Sequence, residues 1–146
     1  MLAALQLVAT LSATLFAGAA LYINVAEHPA RMALDTKTAV LQWAPSYRRA
    51  TKLQAPLALL SFASGTAAWL LSAEVVWLLA AVFIGIVVPF TLVVIMPTNR
   101  QLLDPNRDHA SAETRKLLER WNKLHAVRTL LSIISSFFYL WALRAA

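Results

Sequence analysis

Four long stretches without a single charged side chain leave this chain few ways to fold. Leu2 to Ala26 is uncharged, Leu53 to Ala73 lies between Lys52 and Glu74, and Val75 to Thr98 precedes Arg100. A helix rising about 1.5 Å per residue crosses a hydrocarbon core of about 30 Å in roughly 20 residues, so each of these three can span a bilayer. The fourth stretch, Thr129 to Leu143, is short by itself. Extended back to Leu124 it is long enough, and it then carries His125 and Arg128 into the membrane's inner edge. Peptide groups inside lipid must be hydrogen-bonded within their own segment, which makes these spans helices. A chain that is 60% hydrophobic and 14% charged over 146 residues has too little interior to hide its apolar surface in water. The expectation is an all-α integral membrane four-helix bundle, a single transmembrane domain. Its helices fall near 2–27, 53–73, 75–98 and 124–143, with a helical extension over 111–123 that starts at the N-cap Ser111. Only Ser72, Ala73 and Glu74 separate the middle spans, which predicts a tight antiparallel hairpin.

Orientation follows from the basic residues. The net charge of +6 is not spread as a nucleic-acid footprint. Arg31, Lys37, Arg48, Arg49 and Lys52 follow the first span, and Arg100, Arg107, Arg115, Lys116, Arg120 and Lys123 follow the third. Cytoplasmic loops carry this excess, so both basic loops are expected inside and both termini outside, in a bacterial inner (plasma) membrane. The bilayer is the expected partner and nucleic acid is not. The apolar N-terminal run lacks the basic residues of a secretion signal and reads as a retained helix. With no cysteine, thiol chemistry is excluded. Trp43 and Trp121 fall near the expected inner interface, and Trp69, Trp77 and Trp141 near the outer one.

Four polar constellations gather at the inner level. Asn24, Glu27 and His28 share one helical face, where they could relay a proton, orient a substrate or form a solvated end stopped by Pro29. Trp121, His125 and Arg128 form a stripe at offsets of four and three. Ionisable groups at that depth face a partner or a cavity, so Arg128 either pairs with Glu27 or snorkels to the headgroups. Pro97 is expected to end the third span and turn Asn99 inward. Tyr47 and Gln54, seven apart, share a face entering the second span. Around Gln54, Lys52-Leu53-Gln54-Ala55 faintly echoes Lys123-Leu124-His125-Ala126. Convergence of four helices at one depth predicts a pocket lined by Asn24, Glu27, His28, Gln54, Asn99, Trp121, His125 and Arg128. No zinc, phosphate-loop or nucleophile-elbow motif is present, so no cofactor is signalled, although a metal on Glu27, His28 and His125 stays open.

Taken together, Asn24-x-x-Glu27-His28-Pro29-Ala30-Arg31, Tyr47-Arg48-Arg49-Ala50, Pro89-Phe90-Thr91, Met96-Pro97-Thr98-Asn99-x-x-Leu102 and Arg120-Trp121-x-x-x-His125-x-x-Arg128-Thr129 resemble the anthrone-oxygenase-like family of small four-helix membrane proteins. The resemblance implies an oxidoreductase that oxidises a hydrophobic aromatic molecule with dioxygen, without an assigned cofactor. It further implies His125 as base, with Arg128 and Asn99 holding an enolate-like oxyanion. The residues alone also accommodate a small dimeric transporter built on the internal echo, or a non-catalytic membrane scaffold whose basic loops bind anionic lipid.

Overall fold

A computed structural model describes residues 1–145. Among these residues four helices are long and apolar enough to cross a membrane. They are α1 (Leu2–Met32), α2 (Thr36–Ser72), α3 (Val75–Leu102) and α4 (Ala112–Arg144). The chain runs up and down four times, and each helix packs against two neighbours, α1 on α2 and α4, and α3 on the same two. Buried alanines set the close approach: Ala9, Ala13, Ala20, Ala58, Ala68 and Ala80 are almost wholly enclosed. Large apolar side chains point the other way. Leu70, Val93 and Phe137 are each about 70% exposed (69%, 73% and 71%), a distribution that suits hydrocarbon around the bundle and not water.

Hydroxyl groups fasten the helices to one another. Ser61 on α2 donates to the Ala9 carbonyl of α1 at 2.9 Å, and Ser135 on α4 donates to the Ala80 carbonyl of α3 at 2.7 Å. Tyr139 crosses from α4 to the Ser61 carbonyl, passing so close to α2 that a Cβ on Gly65 would lie 1.9 Å from its hydroxyl. The middle hairpin is as tight as its three residues predict. Ala73 closes α2 in the left-handed conformation, at φ 59°.

The helices are longer than the sequence reading drew them, because prolines expected to end helices are absorbed within them. α2 starts at Thr36, capped by the Asp35 carboxylate, and continues through Pro45 and Pro56. Most of the first basic loop is therefore helix, and only Ala33 to Asp35 connects α1 to α2. At 37 residues α2 is about 55 Å long, well beyond the hydrocarbon core. Pro29 and Pro97 also lie inside their helices, and each follows a π-helical stretch, Ile23–Glu27 and Thr91–Ile95. A proline ring collides with the carbonyl four residues back, which here belongs to Val25 or Val93 within the π turn. The wider turn moves that carbonyl aside, so the helix survives. It also changes which side chains face inward beyond it. Ser111 caps α4 as expected, accepting from the Thr114 amide at 3.2 Å. Arg115, spaced to pair with Glu119, donates instead to the carbonyls of Leu34 and Met32 and ties α4 to the α1–α2 connection.

Candidate active site

The polar side chains converge at the end of the bundle that carries the basic connections. The π turn of α1 brings Asn24 against α4, where its Nδ2 donates to the Asn122 side chain at 2.7 Å and to the Asn122 carbonyl at 3.1 Å. A carbonyl only accepts, so this contact fixes the amide's orientation and leaves Oδ1 as an acceptor. Two groups of α4 reach that oxygen: Thr129 Oγ1 at 2.5 Å and His125 Nδ1 at 2.9 Å. The proton of the neutral imidazole therefore sits on Nδ1, and Nε2 carries the free lone pair. His125 is 1% exposed and packs at a tilt against Trp121, 4.8 Å between ring centroids. Its Nε2 takes no protein hydrogen bond among the described residues, and the ring lines a narrow cavity of about 10 Å³, roughly the space of one water molecule.

Arg128 lines the same cavity one helical turn further along α4. Its Nη2 donates to Gln54 Oε1 at 2.8 Å, its guanidinium lies 5.4 Å from the centre of the Phe16 ring, and its Nε is buried without a partner. Among the described residues it meets no carboxylate. A buried cation held only by a neutral amide and an aromatic face is under-compensated, and a site of this kind favours a negatively charged visitor.

Glu27 does not supply that charge, contrary to one expectation from the sequence. It pairs with Arg31, four residues along α1, and also accepts from Ser46 on α2. Arg31 is 3% exposed and binds Gln42 and His28 Nδ1 as well. In the sequence Arg31 reads as one of the basic residues that orient the chain and as the end of the Asn24–Arg31 motif. The Glu27–Arg31 spacing was visible, but Pro29 between them suggested that the helix had ended. His28 packs on Trp121 at 5.5 Å and reaches the cavity only through its neighbours. Trp43 and Trp121, expected at the interface, are buried in the site in edge-to-face contact at 5.7 Å, and Tyr47 stacks on Trp43 at 5.0 Å. An unbroken α2 puts Trp43 on the same stripe as Tyr47 and Gln54, whose shared face the sequence predicts.

The structure thus gathers Glu27, Gln54, Trp121, His125 and Arg128 around one cavity, with Asn24 and His28 directly behind it. Asn99 is not among them. It is fully buried, both amide atoms lack a partner, and it does not line the cavity. The end of α3 packs Ile95 and Leu102 into the cluster formed by Trp43, Leu118 and Trp121. The three side chains left open for a metal are not arranged as a cage either. Arg31 occupies both Glu27 and His28, and no group of three or more His, Cys, Asp or Glu is placed to hold an ion among the described residues.

Fold and site define a class: an integral membrane helix bundle with a buried imidazole and an under-compensated cation at one end. The anthrone oxygenase family profile matches residues 43–138, from Trp43 of the cavity wall to Phe138 of α4. The chain belongs to the anthrone oxygenase family. The anthrone oxygenase tpcL of Aspergillus fumigatus is 45% identical over 51 residues, a stretch covering 33% of this chain and 32% of that protein. The match therefore spans about a third of that relative's length. No solved structure matches the chain.

Proposed function

We propose that this protein is a membrane-embedded oxygenase that takes a proton from an acidic carbon of a hydrophobic aromatic molecule and lets the resulting carbanion react with dioxygen. The observation that carries this reading is that His125 and Arg128 line one narrow cavity. Family membership and the name of the fungal relative support the same class of reaction.

In this scheme His125 Nε2 accepts the proton, and a positioned general base of this kind contributes roughly 10² to 10⁴ in rate. Nδ1 stays protonated and directed at Asn24, so the ring does not rotate as it changes charge. The electrons left on carbon delocalise onto the substrate's oxygen, and Arg128 holds that oxyanion in a site shielded from water. The carbanion is electron-rich enough to reduce dioxygen directly. A CH2 group and one O2 then give a C=O group and one water, and His125 returns its proton to an oxygen leaving as water. Asn99, outside the cavity, takes no part in the scheme. The excess of Arg and Lys at this end supports a site in the cytoplasmic leaflet with both termini outside.

Dioxygen uptake by the purified protein in lipid nanodiscs, with a hydroxylated anthrone as substrate, tests the reading. His125→Ala and Arg128→Ala are each expected to lower kcat at least a hundredfold while the helices remain folded. Full turnover by either folded variant would remove the proposal.

A further inference from the structure

Arg128 borders two compartments. One is the narrow cavity it shares with His125, and the other is a chamber of about 130 Å³ between α2 and α3, and Tyr47 and Thr51 border both as well. The chamber wall is mainly apolar, with Phe16, Ala58, Val87, Val88, Leu92 and Met96 contributing. It does not stop at the bundle surface. Ala58 and Val88 also line a crevice of about 380 Å³ whose other residues, among them Leu59, Phe62, Gly85 and Pro89, include no polar side chain. Leu59 and Ile86 at its lips are exposed among the lipid-facing side chains, so the crevice opens toward hydrocarbon.

One wall of the crevice is a close contact between the two helices. A Cβ on Gly85 would lie 2.7 Å from the Phe62 ring, so Phe62 of α2 rests directly on the α3 backbone. Four residues on, Pro89 has no N–H to give the Gly85 carbonyl, which leaves this turn of α3 short of a hydrogen bond. With a ring seated on bare backbone beside a weakened turn, this wall of the crevice can give without breaking a polar contact.

From this continuity we infer that the chamber and crevice form the substrate's seat and its entrance from the bilayer. The occupant is an apolar weak acid that slides from the hydrocarbon between α2 and α3, passes between Ala58 and Val88, places its ring system in the chamber and presents its acidic oxygen to Arg128. The inference rests on the reading of Arg128 as the anion-holding group. Hydrocarbon and crevice are equally apolar, so entry carries no desolvation penalty, and the lining by itself supplies little affinity. Selectivity comes from the guanidinium, which holds molecules carrying an acidic oxygen and lets plain hydrocarbon leave. The open groove of about 760 Å³ between α1 and α2 is the less apolar of the two routes, because Glu27, Gln42, Ser46, Arg49 and Gln54 line it and the Glu27 carboxylate disfavours an acidic oxygen.

Binding of 2-naphthol, whose fluorescence reports the state of its hydroxyl, tests the inference in nanodiscs, with protein-free discs as the partition background. Wild type is expected to bind it. Arg128→Gln, Ala58→Phe and Val88→Phe are each expected to weaken binding at least tenfold, and Leu70→Phe, elsewhere on the lipid-facing surface of α2, to change it less than twofold. Ala58 is buried and Val88 half-buried on the facing helix, so the second variant answers if the first does not fold. Absence of wild-type binding, or loss with Arg128→Gln but not with either folded phenylalanine variant, overturns the inference. The latter outcome leaves the oxygenase reading intact. Crevice-dependent binding together with full anthrone turnover by His125→Ala would do the reverse.

Discussion

Replacing Asn24 by leucine tests whether this amide sets the tautomer of His125. In the wild type, Asn24 Oδ1 accepts from His125 Nδ1 at 2.9 Å and from Thr129 Oγ1 at 2.5 Å, while Nδ2 donates twice to Asn122. Leucine removes all four contacts at similar volume. Thr129 has a second acceptor in the His125 carbonyl at 3.3 Å, and Asn122 is only half-buried, so neither group is stranded. The imidazole is stranded: its Nδ1–H loses its only acceptor in a site nearly closed to water. One buried unsatisfied donor costs about 1–3 kcal/mol, and that is the stability loss expected in thermal unfolding. The free ring can then turn or move its proton to Nε2, and a misplacement of this size lowers kcat by about a hundredfold. The direct assay is the ¹⁵N spectrum of the histidine side chain in nanodiscs, where wild-type Nε2 should show the pyridine-like signal and Nδ1 the pyrrole-like one. A wild-type ring carrying its proton on Nε2 would refute the reasoning, and so would unchanged kcat in a folded Asn24→Leu protein.

Other substitutions probe the frame around the site. Arg31→Met leaves the Glu27 carboxylate unpaired at the mouth of the cavity and should destabilise the fold by about 3 kcal/mol, most of it recovered in the double variant with Glu27→Gln, as read by a double-mutant cycle of unfolding. Gly65→Ala drives a methyl group into Tyr139 and should cost about 1–3 kcal/mol, whereas Tyr139→Phe, which loses only the bond to Ser61, should cost about 1 kcal/mol. Ala73→Gly relieves a left-handed residue at the hairpin and should raise the unfolding temperature, a gain of about 1 kcal/mol. At the exposed start of α2, the Thr38 hydroxyl and amide hold the Asp35 carboxyl below the usual carboxylate range. Its capping contribution is therefore complete above that range and disappears as pH falls through the depressed value. Hydrogen exchange at Lys37, Thr38 and Ala39 should accelerate there, and Asp35→Asn should flatten the dependence.

The sequence by itself determined the number of spans, the hairpin at Ala73 and the level at which polar residues collect. Those properties depend on free energies of transfer into hydrocarbon, which each segment meets on its own whatever its neighbours do. It also displayed the stripe of Trp121, His125 and Arg128, since a regular helix fixes which residues share a face. Only the tertiary structure decided partners. Arg31 rather than Arg128 neutralises Glu27, Asn24 rather than Asn99 supports the site, and Trp43 belongs to the cavity rather than to the interface. Local rules treat Pro29 and Pro97 as ends of helices, but the helices continue past them. The π turns that accommodate Pro29 and Pro97 shift the rotational phase of every residue beyond, and no local periodicity records that shift.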